Sequence, residues 1–245
     1  MNVDCYFLNW NEIDQIRLTI DHYKSFCRRV IVYDNWSTDG SDNIAATMSC
    51  EVRPFGMPGV LDDFEYLKVK NNCWKESDAD YVIVCDCDEI LYHKDLNAVL
   101  DMEKKRGTTL FRTQGYNMFS DDVPRGTYED IRTGVPDGTY SKSVIFDPKA
   151  IKEINYLPGC HVARPEGTVE GSLTTLPLLH YRCIGGFYRF YERHQQYYQR
   201  LSDNNIRWKM GNYEWVTDHK KVEEKHREFY GLLSESAPLV SVFGS

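Results

Sequence analysis

The strongest constraint in the sequence is a buried-strand signature that runs straight into acid: Tyr81-Val82-Ile83-Val84-Cys85 is followed without a break by Asp86-Cys87-Asp88-Glu89. Five apolar residues with no polar alternation belong to a strand covered on both faces, the usual situation inside a parallel sheet flanked by helices. The stretches Val3-Asp4-Cys5-Tyr6-Phe7-Leu8 and Val30-Ile31-Val32-Tyr33 have the same character. Between them lie a helical pattern from about Glu12 to Phe26 and turn formers from Asp34 to Gly40 that start a short helix through Ala46. A third strand near Glu51 to Phe55 and a helix from about Leu61 to Lys75 complete a strand-helix alternation. The expected fold class is therefore α/β, with a mostly parallel central sheet and helices on both faces. Such sheets bind ligands beyond the carboxyl ends of their strands, so the residues just after Tyr33 and Cys85 are where chemistry is expected.

Past Asp95 the pattern predicts a helix to about Lys105, a strand near Thr109 to Thr113, and a long polar stretch up to Tyr140 with the character of a functional loop. Strands near Ser143 to Phe146 and Leu176 to His180, then helices at about Phe187 to Leu201 and Asp218 to Leu232, close the chain. No linker or repeat divides the 245 residues, and we read one domain with a first half over 1–95, a second over 96–200 and a C-terminal helical segment over 201–245. The net charge of -8 argues against general nucleic-acid binding. The N-terminus lacks a signal-peptide pattern and no stretch of eighteen apolar residues spans a bilayer, so a cytoplasmic protein without a transmembrane segment is expected. The eight cysteines are scattered singly and read as reduced, small buried hydrophobes.

In an extended segment Asp86 and Asp88 project to one side, about 7 Å apart, so both can reach one hard cation. Three carboxylates in four residues repel one another, and Mg²⁺ or Mn²⁺ held by Asp86 and Asp88 together with substrate phosphate oxygens would relieve that. The competing reading has Asp88 and Glu89 capping a following helix.

Three stretches in this order, each at a strand end, resemble a known family: Leu8-Asn9-Trp10-Asn11-Glu12, Val32 to Gly40 with Asp34-Asn35-Trp36-Ser37-Thr38-Asp39-Gly40, and Val84 to Leu91 around Asp86 and Asp88. The chain resembles GT-A-fold glycosyltransferases of family 2. The resemblance implies a nucleotide-diphospho-sugar donor, a UDP-sugar first and a GDP-sugar second, with Asp34 on the nucleobase and Asn9 and Glu12 near the base and ribose. A carboxylate suits the imide N–H of uracil or the N1–H of guanine. Lys70 and Asn71 fall where such enzymes place residues against the donor's ribose and phosphates.

Ser141-Lys142-Ser143, Pro158-Gly159-Cys160-His161 and Leu178-Leu179-His180-Tyr181 are similar to landmarks of the family 92 and DUF-type branch, with His180, or less readily His161, as a further ligand of the ion. No Gln-x-x-Arg-Trp sequence is present. The nearest candidates for a catalytic base are Asp121 and Asp122, with Glu129 and Asp130 behind them. The resulting expectation is a metal-dependent glycosyltransferase acting on a glycan or other hydroxyl acceptor. A nucleotidyltransferase is the rival enzyme, although the first strand end has no Gly-rich triphosphate loop, and a non-catalytic nucleotide-sugar or carbohydrate-binding module is the rival outside catalysis.

Overall fold

The computed structural model describes residues 1–211 and, beyond them, 220, 223–224, 227, 231–235 and 237–243. The helix expected from Asp218 to Leu232 lies for the most part outside the described residues. The fold is mixed α/β with a mostly parallel central sheet. Strand β1 (Val3–Asn9) lies between β2 (Arg29–Asp34) and β4 (Tyr81–Asp86), and β3 (Glu51–Pro54) flanks β2, all four parallel. Helices α1 (Ile16–Lys24), α2 (Ser41–Thr47) and α3 (Asp63–Asn72) make the crossovers.

Side-chain alternation explains the unbroken apolar runs. On β4, Tyr81, Ile83 and Cys85 pack into one core with Ile16, Ile20 and Tyr23 of α1, while Val82 and Val84 pack into a second core on the opposite face with Trp74 and Phe146. Each face of the strand leaves water, so each residue contributes to stability by burial.

Beyond β4 come β5 (Glu89–Leu91), helix α4 (Leu96–Lys105), β6 (Leu110–Ser120), β7 (Thr133–Pro136), β8 (Ile145–Phe146) and the small pair β9 (Ile151–Glu153) with β10 (Glu166–Gly167). Strand β11 (Gly171–Ile184) then leads into α5 (Gly186–Gln199) and α6 (Asp203–Trp208), and a short strand β12 (Ala237–Pro238) pairs with β7. The two strands expected to be short are long because they pair in parallel with each other, from Gly171 beside Leu110 to Ile184 beside Ser120. That pairing carries β6 through Gln114 and Asn117, where local pattern alone reads a loop. The polar stretch up to Tyr140 therefore holds the end of β6, β7 and two single helical turns, Tyr128–Asp130 and Gly138–Tyr140. Gly115 lets the second of these turns lie directly on β6, since a Cβ there would fall 2.4 Å from the Tyr140 carbonyl carbon.

Helix α1 starts at Ile16 rather than at Glu12, because the segment from Glu12 makes a turn in which Ile16 N–H donates to the Glu12 carbonyl. Helix α3 is capped by Asp62, whose side chain accepts from Phe64 N–H at 2.9 Å. All eight cysteines are free thiols. No helix among the described residues is long and apolar enough to cross a membrane.

At the amino ends of the parallel strands, the fully buried Asp4 binds Arg28 at 2.9 Å, Arg29 at 2.8 Å and Ser77 Oγ at 2.6 Å, tying β1 to β2 and to the segment before β4. Burial alone would raise this carboxyl, but the bonds from Arg28, Arg29 and Ser77 outweigh it and hold the group down at about 2. A carboxyl held below its unfolded value near 3.9 contributes stability above that pH and loses it as the pH falls toward the folded value. Asp4→Asn should lower the unfolding free energy by about 2 kcal/mol at neutral pH. In urea titrations the gap to the wild type should close as the pH falls from about 4 to about 2; a gap that stays constant there would refute the assignment.

Candidate functional site

The carboxyl ends of β1 and β4, one side of α3 from Asp63 to Lys70, the 140–142 segment, the end of β11 and the inner side of α5 enclose a cavity of about 280 Å³. Asn9, Glu12, Lys70, Asp86, Asp88 and His180 all line it. His161 lines it too, with Nδ1 against the Thr139 carbonyl at 2.7 Å.

The acidic segment is not extended. Strand β4 ends at Asp86, the chain turns at Cys87 and Asp88, and Glu89 begins β5. The turn is fixed from outside: β5 pairs antiparallel with β11, setting Leu91, Ile90 and Glu89 beside Leu178, Leu179 and His180. Neither Asp88 nor Glu89 caps a helix. Cys87 goes into the core, and each acid finds its own partner.

Asp86 Oδ1 receives Lys70 Nζ at 2.7 Å and Oδ2 lies 3.8 Å from Lys142 Nζ. Glu89, without exposure, binds Lys142 Nζ, and its Oε2 accepts the Asp86 N–H at 3.0 Å. Burial would raise the Glu89 carboxyl, but Lys142 and Lys70 outweigh it and hold it at about 2. For Lys70 burial disfavours the ammonium and Asp86 overrides it, leaving the group well above the usual lysine range.

Asp88 Oδ2 lies 3.4 Å from His180 Nε2, and His180 Nδ1 lies 3.2 Å from Asn117 Oδ1. Asn117 gives its own Nδ2 to Asp137, so its oxygen faces the ring and Nδ1 is the donor there. A neutral ring so tied would aim the Nε2 lone pair at a carboxylate oxygen, whereas a protonated ring makes the contact an ion pair. Asp88 is held well below the usual carboxylate range, with burial outweighed by His180, Arg193 and Arg182. Arg193 donates to Glu12 and, at 2.6 Å, to the Tyr197 hydroxyl; Arg182 donates to the Tyr140 hydroxyl at 2.9 Å.

This arrangement does not fit the expected divalent ion. Among the described residues no three His, Cys, Asp or Glu side chains are grouped so as to hold a metal. Asp86 and Asp88 both reach the cavity but meet different partners, and the Asp86 oxygens already face two ammoniums. A divalent ion on the same oxygen as Lys70 would lie ~4 Å from an ammonium, a repulsion of about 8 kcal/mol at an effective dielectric of ~20.

Other expected site residues lie elsewhere. Asp34 does not line the cavity: its Oδ1 accepts from Asn9 Nδ2 at 2.8 Å and Ser37 Oγ at 2.6 Å, and its Oδ2 from Ser37 N–H at 2.8 Å. Asp39 accepts from Ser41 at the start of α2. Asn71 faces away from the cavity and accepts the Tyr156 N–H at 2.8 Å. Asp121 and Asp122 are exposed in the turn after β6 and are not brought to the cavity. Glu129 and Asp130 belong to a helical turn, where Asp130 completes a cap with Thr127.

Lys142, Arg182, Arg193, Asp63 and Tyr197 are lining residues that the sequence reading passed over as site residues. The local signals were the Ser141-Lys142-Ser143 landmark and the Arg193/Tyr197 spacing on α5, four residues apart and so on one helix face.

No protein-family model matches the chain, and no curated protein matches it in sequence. Among solved structures, S. aureus TarS superposes with a TM-score of 0.48 at 14% identity, covering 80% of this chain and 38% of that one. Its fragment 1–349 in complex with UDP gives 0.47 at 13% identity, covering 80% and 64%. Glucosyl-3-phosphoglycerate synthase from Mycobacterium tuberculosis in complex with Mn²⁺ and UDP-glucose gives 0.35 at 19% identity, covering 46% and 43%. The chain thus spans less than two thirds of the length of these proteins. Likenesses at this level carry no argument about this chain, whose chemistry is read from its own residues.

The Glu89/Lys142 pair yields a direct test of the site's construction. Lys142→Met leaves Glu89 buried without its partner and should cost about 3–5 kcal/mol. Adding Glu89→Gln should recover a large part of that, measured by urea unfolding of both variants. Equal stability of the single variant and the wild type would show that the pair is not formed.

Proposed function

We propose that the cavity binds a nucleotide-diphospho-sugar, a UDP-sugar first, and that the chain transfers the sugar to a hydroxyl of a glycan or similar acceptor. The observation that carries this reading is convergence: six residues singled out from two of the three separated stretches, helix α3 and strand β11 meet in one cavity at the carboxyl ends of parallel strands. In the reaction the bond from the anomeric carbon to the diphosphate breaks, the bond to the acceptor oxygen forms, and the acceptor proton passes to a base.

Asn9 is the residue through which this reading selects the nucleobase. Its Nδ2 is committed to Asp34, Ser37 and Ser41, at 2.8, 3.1 and 3.0 Å. That leaves Oδ1 buried and without a partner among the described residues. An unsatisfied buried acceptor is costly unless a ligand donor meets it, and an imide N–H of uracil is such a donor. Asp34 then acts through Asn9, fixing which way the amide faces.

For the base, Asp63 takes the place first given to Asp121 and Asp122. It lines the cavity, forms no ion pair within 4.0 Å among the described residues, and burial raises its carboxyl.

Thermal-shift measurements with UDP, GDP, CDP and dTDP, with and without Mn²⁺, followed by a donor hydrolysis assay, test the reading. UDP at about 100 times its Kd should raise Tm by about 5–10 °C, and a flat response to all four nucleotides would end the proposal. Asn9→Ala should weaken UDP binding by about 10-fold, read by calorimetry, and Asp63→Asn should lower kcat by about 100-fold or more while UDP affinity holds. Unchanged kcat in the second variant would remove Asp63 from the chemistry.

A further inference from the structure

Two buried ammoniums meet on one carboxylate at the place where the acidic motif leads one to expect a cation. Lys70, from the last turn of α3, and Lys142, from the segment before β8, are 4% and 5% exposed. They face the two oxygens of Asp86, at 2.7 and 3.8 Å. Burying an ammonium is expensive, and neither lysine fills a hydrophobic gap that an apolar residue could not fill better. Of the charged side chains lining the cavity, Lys70, Lys142, Arg182 and Arg193 stand against Glu12, Asp63, Asp86 and Asp88, with Glu89 behind Lys142.

We propose that Lys70 and Lys142, assisted by Arg182, hold the diphosphate of the donor directly, so that donor binding needs no divalent cation. This rests on the reading of the cavity as a nucleotide-diphospho-sugar site. An ammonium has three donors, and Lys70 spends one on Asp86, so phosphate oxygens can take the others as charge-assisted bonds. Asp86 is then the counter-ion that keeps both lysines charged while no phosphate is bound, and it competes with the ligand instead of recruiting an ion for it. In the transfer itself the two ammoniums stabilise the negative charge that grows on the departing diphosphate, the task a Lewis acid would otherwise perform. No step requires a group beyond the chain, the donor and the acceptor.

The metal-held and lysine-held arrangements predict opposite effects of two substitutions, which calorimetry on the full chain can read with UDP and with inorganic pyrophosphate, each in EDTA and in Mg²⁺. The wild type is expected to bind both ligands with essentially the same Kd in EDTA as in Mg²⁺. Lys70→Met should weaken both by about 10-fold or more, while Asp86→Asn, at a side chain one third exposed (32%), should bind no more weakly than the wild type. Circular dichroism and thermal unfolding of each variant confirm that it is folded. Binding that vanishes in EDTA and returns with Mg²⁺, lost in Asp86→Asn and kept in Lys70→Met, would overturn the proposal while leaving the donor site standing. Pyrophosphate bound in EDTA without any nucleoside diphosphate bound would uphold the lysine clamp and end the donor reading instead. Failure of both ligands in both conditions would end both.

Discussion

The end of β4 is the point on which the rest of the structure depends, because a strand buried on both faces there delivers charge into a largely desolvated region. Glu89 is wholly buried, and a carboxylate in that position is tolerable only with an ammonium against it. Lys142 supplies that ammonium, and Lys70 adds a second beside Asp86. These contacts join three parts of the chain: helix α3, the β4–β5 turn and the segment after the Gly138–Tyr140 turn. Removing one member leaves its partner as an uncompensated buried charge, so the network constrains position more sharply than apolar packing can. The cavity is the space these constraints leave open.

The parallel half of the sheet was legible from local sequence because its cause is local. Val82 and Val84 face one core while Ile83 and Cys85 face the other, and that two-sided burial writes itself into an unbroken apolar run. The second half was not legible in the same way. Strands β6 and β11 owe their length to each other, and a polar residue such as Asn117 sits in β6 because His180 on β11 bonds to it across the register. The contacts of the Asp86 and Asp88 side chains were beyond local reading for the same reason. Both reach the cavity while Cys87 turns into the core, but their partners come from distant parts of the chain, Lys70 for Asp86 and His180 for Asp88.

Which residues line the cavity was therefore more legible in the sequence than the contacts each makes there. Asn9, Glu12, Lys70, Asp86, Asp88 and His180 come together, yet partners drawn from distant parts of the chain decide what each can do. Asp34 shows this most plainly. Read alone it is a carboxylate at a strand end, a ready acceptor for a base. In the fold its oxygens are taken by Asn9 and Ser37, and its effect on a ligand passes through the orientation of the Asn9 amide. Lys142 and Arg182 carried little signal, since a lone basic residue in a polar stretch or at a strand end is most often solvated.

Charge at two scales explains why the cavity needs its cations. The protein carries a net charge of -8, so an anionic ligand approaches against an unfavourable long-range field, screened beyond about 8–10 Å at physiological ionic strength. Affinity must come from groups met at contact distance in a region of lower effective dielectric, where a charge-assisted bond counts for more than it does at the surface. Surface lysines would be screened and mobile. On the proposed reading, lysines buried beside Asp86 and Glu89 are already desolvated, so that part of the cost is met when the chain folds, and Asp86 gives way to the ligand when it binds. The acidic motif at the end of β4 can thus be understood as the support that keeps cations buried and charged, with the cations themselves as the ligand-facing part of the site.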